Sequence, residues 1–212
     1  MADFTIEQEI ENKGYKLIAG IDEAGRGPLA GPVVAAAVIL DNKSELFDEI
    51  CDSKKISESK REKLFDFIVE NAVDYSIQFV DEKIIDEINI LQATMKAMQL
   101  AVFALERKPD FLLIDGNYLK CKEIEEKFPF KTIVKGDNLS TSIAAASILA
   151  KVSRDNWMKN VADKEFPIYN FSKNKGYPTK KHIEIIKSHG ICKYHRKSFL
   201  KSILGSEENT LF

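Results

Sequence analysis

Residues 16–28 read KLIAGIDEAGRGP, and this stretch decides the fold class. The run from Lys16 to Ile21 has the apolar composition of a buried strand, and it ends in two adjacent carboxylates, Asp22 and Glu23. Burying an unpaired carboxylate costs on the order of several kcal/mol, so such groups are usually paired, protonated or bound to metal. The glycine-rich segment 24–28 that follows lets a ligand approach the backbone closely. This order favours a metal-dependent site for phosphate chemistry, although a strand ending in solvent also fits it.

Outward from this stretch, the sequence predicts strands first and then an alternation of strands and helices. The predicted strands are 17–22, 32–40, 72–80, 111–114 and 131–134. The predicted helices are 57–70, 82–107 with a break near Asn89, 142–158, and one capped by Thr179 and closed by Gly190. We therefore predict one α/β unit with a helical C-terminal extension.

Composition indicates a single soluble domain. The chain has 212 residues, of which 44% are hydrophobic and 30% charged. We assign residues 1–200 to this domain, with a basic helical part at about 138–200, and residues 201–212 to a flexible tail. We expect no signal peptide, and the longest apolar run, 33–40, is too short to span a membrane. The three widely spaced cysteines indicate a reducing compartment, so we expect a cytoplasmic protein, and no feature demands more than a monomer.

The formal net charge of −2 conceals a strong asymmetry along the chain. Residues 151–201 carry thirteen Lys or Arg against four Asp or Glu, whereas residues 1–150 carry eighteen basic against twenty-seven acidic side chains. Aromatic residues are interleaved with the basic ones. This mixture favours a surface for nucleic acid over one for a membrane, since no long amphipathic stripe accompanies it. The alternative is a solvated basic face above core aromatic residues.

Carboxylates recur where the predicted strands end. Asp22 and Glu23 end the first strand, Asp115 ends the fourth, and Asp137 follows the fifth. In an open α/β sheet ligands bind at such strand ends, and oxygen ligands without His or Cys favour Mg²⁺ or Mn²⁺. Two such ions about 4 Å apart support in-line phosphodiester displacement. Taken singly, Asp115 also fits a turn and Asp137 a helix cap. The prediction therefore depends on the set of four.

These motifs resemble those of the ribonuclease HII family. The resemblance covers residues 16–200 and is carried by IDEAGRGPLAGP (21–32), DSKK (52–55), IDGN (114–117), VKGD (134–137), AAASILAKV (144–152), KGYPT (175–179) and HRKSF (195–199). It implies the ribonuclease H-like fold, a mixed five-stranded sheet flanked by helices, with a helical C-terminal extension. It also implies an endonuclease that hydrolyses the RNA strand of RNA–DNA hybrids and nicks 5′ to single ribonucleotides in duplex DNA, leaving a 3′-hydroxyl and a 5′-phosphate.

The resemblance also assigns residue roles. Asp22, Glu23, Asp115 and Asp137 would be the catalytic metal ligands for Mg²⁺ or Mn²⁺. The loop Gly25, Arg26 and Gly27 would contact the ribose 2′-hydroxyl, the group that distinguishes RNA from DNA. Tyr177 would sense the RNA-to-DNA junction; the alternative is an aromatic residue that covers a turn. Lys54 and Lys55 would contact the substrate backbone; the alternative is a solvated lysine pair in a loop.

Other candidates receive lesser roles. We expect Asp155 to pair with Arg154 or another neighbour, and His182, His189 and His195 to be surface or phosphate-facing residues. Asn174 stands where many relatives have His, which puts only a minor substrate contact in doubt. Leu211 and Phe212 end the chain like a peptide that docks on a sliding clamp. A related-fold DNA nuclease and a non-catalytic nucleic-acid-binding module remain the rival functions.

Overall fold

The computed structural model of the chain describes residues 2–41, 47, 50 and 57–204. Lys54, Lys55, Leu211 and Phe212 lie outside the described residues. The elements follow in chain order as α1 (Thr5–Glu11), β1 (Ile18–Ala24), β2 (Val33–Ile39), α2 (Glu58–Asn71), β3 (Asp74–Val80), α3 (Glu82–Phe103), β4 (Phe111–Asp115), α4 (Lys122–Glu125), β5 (Phe130–Ile133), α5 (Thr141–Trp157), α6 (Asp163–Glu165), α7 (Phe171–Asn174), α8 (Lys180–His189) and α9 (Lys197–Leu204).

The described strands form one mixed sheet in the order β3-β2-β1-β4-β5. β1 pairs antiparallel with β2 and parallel with β4, and β5 continues the parallel half. Ile21 pairs with Ile114 in the register of β1 and β4. The next residue of each strand is Asp22 or Asp115, so the register brings these two carboxylates side by side at one edge of the sheet. The predicted fold class is confirmed.

Helices cover both faces of the sheet because the central strands are apolar on both sides. Every residue of β2 is buried, and its alternate residues belong to different clusters: Ala35 packs with α3, whereas Ala36 packs with α2 and α5. Gly20 of β1 allows α5 to lie directly on the sheet. A Cβ at Gly20 would lie only 2.1 Å from the backbone carbonyl carbon of Ser142.

The predicted helix signals agree with the observed helices. Ser57 accepts a hydrogen bond from Lys60 N at the start of α2, and Thr179 accepts one from His182 N at the start of α8. The expected break in α3 occurs at Asn89, whose φ is 67°. The short helix α1 was not predicted, and α9 ends at Leu204, inside the segment predicted to be a tail.

The elements after α5 form a compact helical extension. A five-residue π-helical turn, Met158–Ala162, continues α5, and Met158, Tyr169 and Phe171 belong to the extension's own apolar cluster. Leu29 and Ala30, which follow β1, belong to the same cluster. The extension therefore packs directly against the loop that follows β1. No helix in the described part of the chain is both long and apolar enough to cross a membrane.

Candidate active site

Three carboxylates meet in a cleft of about 350 Å³ at the carboxyl ends of β1 and β4. The cleft is lined by Asp22, Glu23, Ala24, Gly25, Arg61, Asp115, Ser147, Lys151 and Tyr177. The sheet supplies the acids, α2 and α5 supply the basic side chains, and the loop before α8 supplies the tyrosine. The cleft thus combines an anionic floor with cationic and aromatic walls.

Asp22 is the deepest of the three acids. Its side chain is 4% exposed, and its Oδ1 accepts a hydrogen bond of 2.7 Å from the backbone N–H of Glu23. Burial raises the pKa of Asp22 well above its usual value, and the charges of Glu23 and Asp115 raise it further. A hydrogen bond from Ser147 opposes this shift. A divalent cation would relieve the repulsion that these acids impose on one another.

Glu23 is held at the edge of the cleft by the loop that follows it. Its Oε1 forms an ion pair of 3.2 Å with Arg26 Nη1. Burial raises the pKa of Glu23, while the positive charge of Arg26 lowers it. The Arg26 side chain is 54% exposed, so it also remains accessible to a phosphate group.

Asp115 and Asp137 are connected through the turn after β5. Asp115 Oδ1 accepts a hydrogen bond of 2.6 Å from the N–H of Gly136. Asp137, the next residue, is 1% exposed, and its Oδ1 accepts a hydrogen bond of 2.8 Å from the Asn138 amide. The structure therefore brings Asp22, Glu23 and Asp115 together in the cleft wall and places Asp137 in the buried turn beside it.

The donor set suits a hard divalent cation. The acids in the cleft offer carboxylate oxygens, the ligands that Mg²⁺ and Mn²⁺ prefer. Within the described ranges, no three His, Cys, Asp or Glu side chains already approach one another as a closed ligand group. Mutual repulsion of carboxylates favours such separation, and Mg²⁺ commonly retains several water ligands in place of a complete protein cage.

Two buried arginines fix the glycine-rich loop. Arg196, which is fully buried, donates hydrogen bonds to the carbonyl oxygens of Gly25 at 2.7 Å, Arg26 at 3.2 Å, Pro28 at 2.8 Å and Gly31 at 2.9 Å. These bonds replace the hydration that burial removes from its guanidinium group. Desolvation still lowers the pKa of Arg196 to about 9, so the group remains charged at neutral pH.

Arg154 of α5 holds the second part of the loop. It is fully buried and donates to the carbonyl oxygens of Ala30 at 3.0 Å, Pro32 at 2.9 Å and Lys175 at 3.1 Å. Gly25 must lack a side chain here, because a Cβ would lie 2.2 Å from Arg154 Nε. The loop and the segment before Tyr177 are thus attached to a common guanidinium group.

The arginine contacts determine how the loop presents its peptide groups. In a trans peptide, a carbonyl and the following N–H point in opposite directions, and the described residues contain no cis peptide. Because the Gly25 and Arg26 carbonyls point at Arg196, the N–H groups of Arg26 and Gly27 point away from it, on the outer side of the loop. The loop is therefore prepared to donate hydrogen bonds outward.

Tyr177 lines the same cleft as the acids. It is 39% exposed, and a Cβ on Gly27 would be 3.9 Å from its Cε1 atom, so its ring adjoins the loop. Lys151 Nζ lies 5.7 Å from the ring centroid, and its ammonium group also pairs with Asp155 at 2.8 Å. Asp155 thus pairs with a neighbour, as expected, and that neighbour is Lys151.

The expectation for two of the histidines was wrong. His182 and His195 are 0% and 2% exposed, and their Nε2 atoms lie 3.1 Å apart, so neither faces solvent or a phosphate. Only His189 is exposed, as predicted. The Asn174 amide donates to the Tyr169 carbonyl at 2.6 Å and supports the turn before Tyr177.

Sequence reasoning missed the basic and hydroxyl residues of this region. Arg61, Ser147 and Lys151 line the cleft, and Arg154 and Arg196 support it. A signal for Ser147 and Lys151 existed, since both lie in α5 at the helical spacing i, i+4 and therefore share one face. No comparable local pattern marks Arg196 as buried.

Comparisons with known proteins agree with this geometry. The family model described as Ribonuclease HII matches residues 19–202. A ribonuclease HII of Endomicrobium trichonymphae is 56% identical over 196 residues, which cover 92% of this chain and 91% of that relative. The match therefore includes the sheet, the cleft and the helical extension.

Solved structures resemble the chain in the same way. A ribonuclease H2 of Pyrococcus horikoshii superposes with a TM-score of 0.70 at 28% identity, covering 89% of this chain and 97% of the other. A ribonuclease HII from Archaeoglobus fulgidus, solved in complex with PCNA, gives a TM-score of 0.72 at 26% identity, covering 86% and 94% of the two chains.

Proposed function

The chain belongs to the ribonuclease HII family and is a type 2 ribonuclease H, an endonuclease that cleaves the RNA strand of RNA–DNA hybrids; from this premise we propose its finer specificity and mechanism. The enzyme nicks 5′ to single ribonucleotides embedded in duplex DNA. It leaves a 3′-hydroxyl and a 5′-phosphate, and it serves in ribonucleotide removal from DNA and in RNA primer removal. The observation that carries this proposal is the adjacency of the acidic cleft to the arginine-fixed Gly-Arg-Gly loop and Tyr177.

The acids of the cleft would hold the metal ions. Asp22, Glu23 and Asp115 would be direct ligands, and Asp137 would be the fourth carboxylate. Bound as a pair, Mg²⁺ or Mn²⁺ ions would activate a water molecule and stabilise the leaving oxygen. The protein itself orients Asp22 through the N–H of Glu23 and Asp115 through the N–H of Gly136.

The Gly-Arg-Gly loop would identify the ribose. The outward N–H groups of Arg26 and Gly27 are suited to a 2′-hydroxyl or to an adjacent phosphate oxygen. The Arg26 guanidinium group, already paired with Glu23, would add a forked phosphate contact. Because these contacts concern sugar and phosphate, cleavage would depend on the sugar and hardly on base sequence.

Tyr177 would recognise the junction. Its half-exposed ring, which lies beside Gly27, would stack on the sugar beyond the ribonucleotide. Lys151 and Arg61 would contribute positive charge in the same cleft. Lys54 and Lys55 remain proposed contacts to the substrate backbone.

One pair of duplexes tests the proposal, the first with a single ribonucleotide and the second all DNA. We expect a metal-dependent nick 5′ to the ribonucleotide and no cut in the DNA control. Asp22→Asn should lower this activity about a thousandfold, since it removes a charged ligand from the metal site. Equal cutting of both duplexes would favour a related-fold DNA nuclease, and binding without cleavage would favour a non-catalytic module.

A second comparison tests Tyr177. We expect Tyr177→Ala to reduce cleavage strongly at single ribonucleotides and more mildly on long RNA–DNA hybrids, where many registers are available. Equal losses on both substrates would contradict the junction-sensing role. Tyr177→Phe is the matched control for the hydroxyl group, because it preserves the ring.

We propose that the enzyme acts as a cytoplasmic monomer and contacts a sliding clamp through Leu211 and Phe212. The clamp contact is supported by the Archaeoglobus fulgidus relative, which was solved in complex with PCNA. A pull-down with the clamp should weaken when both residues are removed. Unchanged capture would rule out this contact without affecting the cleavage proposal.

A further inference from the structure

A buried chain of hydrogen bonds runs from Cys192 to Tyr177 through two histidines. The backbone N–H of Cys192 donates to His195 Nδ1 at 3.0 Å. The Nε2 atoms of His195 and His182 lie 3.1 Å apart, and His182 Nδ1 lies 2.9 Å from the Tyr177 carbonyl oxygen. The rings of Tyr169 and Phe171 pack against both imidazoles.

The two ends of this chain fix the position of every proton in it. A backbone N–H can only donate, so His195 Nδ1 accepts and His195 carries its proton on Nε2. That proton is donated to His182 Nε2, which leaves the His182 proton on Nδ1. A carbonyl oxygen can only accept, so Nδ1 donates to Tyr177. Both imidazoles are therefore neutral, because a second proton on either ring would place two donors face to face.

The surroundings favour the same arrangement. Cys192 Sγ lies 3.2 Å from His195 Nδ1, and burial raises the pKa of this thiol to about 11, so it keeps its proton and can also donate. Burial lowers the pKa of His182, and burial together with the neighbouring imidazole lowers that of His195 to about 3. Neither imidazole takes up a proton near neutral pH.

This chain of hydrogen bonds connects Tyr177 with the Gly-Arg-Gly loop, the two elements proposed to recognise the ribose. The Tyr177 carbonyl accepts from His182, while Arg196, adjacent to His195, holds the carbonyls of Gly25 and Arg26. His195 also forms a β-bridge with Ala30. The dipeptide 195–196 thus connects the Tyr177 backbone with the Gly-Arg-Gly loop. It adds to Arg154 and to the bond from the Leu29 N–H to the Gly176 carbonyl, which join the segment before Tyr177 to the residues after the loop.

We propose that His182 and His195 are positioning residues for Tyr177, which they hold at a fixed distance from the Gly-Arg-Gly loop through one directed chain of hydrogen bonds. This inference rests on the proposed function of Tyr177 as the junction sensor. The histidines touch neither substrate nor metal, and they act through the Tyr177 carbonyl.

Two substitutions at His182 separate positioning from packing. His182→Asn places an amide N–H near the position of Nδ1, so it retains the bond to Tyr177 and loses the one to His195. His182→Gln places its amide near the position of Nε2 and loses the bond to Tyr177. We expect His182→Gln to lower kcat/KM at a single ribonucleotide about tenfold, the value of one buried hydrogen bond, with a smaller loss on a long hybrid.

We expect His182→Asn to melt at a lower temperature yet keep the wild-type ratio of activities on the two substrates. His189→Gln is the matched control, since it makes the same change at an exposed position of the same helix and should alter nothing. If His182→Asn changed the ratio as much as His182→Gln, or if His182→Gln lowered both activities equally, the proposal would be overturned.

A double-mutant cycle distinguishes this inference from the proposed function itself. If His182 acts through Tyr177, His182→Gln adds no further loss in the Tyr177→Ala protein, whatever substrate preference Tyr177 confers. Fully additive losses would overturn the positioning role. Equal effects of Tyr177→Ala on both substrates would instead contradict the junction-sensing function. The double-mutant cycle would still show whether His182 acts through Tyr177.

Nitrogen-15 NMR of the wild-type protein tests this chain of hydrogen bonds without any substitution. We expect a neutral Nε2–H tautomer for His195 and a neutral Nδ1–H tautomer for His182 at pH 8, and we expect the His195 tautomer to be unchanged at pH 5.5. The opposite tautomer at either residue, or titration of His195 between pH 8 and pH 5.5, would refute the proposed direction of the bonds.

Discussion

Arg196 is a charged side chain that lies entirely inside the protein and binds backbone oxygens of one loop. Its planar fork reaches carbonyls at four positions, a geometry that the single ammonium group of lysine does not reproduce. These four hydrogen bonds therefore restrain the backbone of the loop. Rigidity matters here because the loop adjoins the acids that would bind metal.

We predict that Arg196→Lys lowers cleavage of both single-ribonucleotide and long hybrid substrates about a hundredfold, because the loop would no longer be held at its working distance. The free energy of unfolding should fall by about 3 kcal/mol. Steady-state kinetics and chemical denaturation measure the two effects. Arg107→Lys, at an exposed position, is the matched control. Activity close to wild type in Arg196→Lys would show that the guanidinium group is not required to hold the loop in its active position.

The buried His195 makes stability depend on pH. Its pKa is about 3 in the folded protein, whereas an unfolded histidine titrates near 6.5. As pH falls below about 6.5, the unfolded chain takes up a proton that the folded state refuses. The contribution of neutral His195 to the free energy of unfolding is therefore fully present above pH 6.5 and is lost progressively down to pH 3.

We predict that the stability difference between wild type and His195→Gln shrinks by about 1.4 kcal/mol when pH is lowered from 7.5 to 5.5. Urea unfolding at both pH values measures it, and the comparison cancels the carboxylates common to both proteins. A difference independent of pH would mean that His195 titrates normally in the native state.

The acids that the sequence placed near strand ends owe their positions to local pattern. Asp115 ends β4 and Asp22 lies two residues before the end of β1, and an apolar run that stops at a carboxylate is visible in the sequence around it. Arg154 and Arg196 differ, because most of their acceptors are distant along the chain. Two of the three Arg154 acceptors lie 122 and 124 residues away and the third 21, and the Arg196 acceptors lie 165 to 171 residues away. Their burial follows from tertiary packing, so the local charge pattern, which indicated a nucleic-acid surface or a solvated basic face, did not reveal that these two arginines are buried.

At the level of elements, helix α1 shows how a short segment can support a distant one. Glu7 of α1 is 2% exposed, and its Oε1 accepts hydrogen bonds from Ser140 Oγ at 2.6 Å, Ser142 Oγ at 2.6 Å and Ser142 N at 3.0 Å. A carboxylate at this position also complements the positive N-terminal end of α5. Helix α5 in turn carries Ser147, Lys151 and Arg154 toward the cleft.

We predict that Glu7→Ala lowers the free energy of unfolding by about 2–3 kcal/mol, because it leaves two buried hydroxyl groups without their acceptor. Glu9→Ala changes the same residue type on the same helix, where the side chain is exposed and forms only a 3.9 Å ion pair with Lys131. The control should cost less than about 1 kcal/mol in the same denaturation experiment. Equal losses in the two variants would contradict the anchoring role of Glu7.

The central strands were predictable from their continuous apolar runs, and the long helices from apolar residues at helical spacing. The break in α3 was also predictable at Asn89, a residue type that tolerates a positive φ. Helix α1 was missed because seven residues carry little periodicity, and because its buried residues contact mostly distant segments. Glu7 bonds Ser140, 133 residues away, and Ile10 packs in a cluster that includes Phe111. Burial at this distance leaves no trace in a local window.

At the scale of the whole molecule, charge is divided between the acidic sheet region and the basic helical extension. The acidic half of the chain supplies the carboxylates, and the basic helical extension supplies Tyr177 and exposed lysines such as Lys180 and Lys181 at the start of α8. The extension would thus attract a duplex, and its contacts with the phosphates would hold the duplex next to the acids. A net charge of −2 is compatible with tight binding to nucleic acid because only the facing surface matters.

We predict that duplex binding weakens steeply with salt, because each neutralised phosphate releases counterions. Measured with the Asp22→Asn protein in the absence of divalent metal, the slope of log K against log salt should decrease in magnitude by about 1.8 when both Lys180 and Lys181 become Gln. Lys108→Gln, before β4 at the opposite edge of the sheet, should leave the slope unchanged. If Lys108→Gln reduced the slope and the double variant did not, the duplex would have to lie away from the extension, and the acidic cleft would then receive its substrate without help from the basic surface.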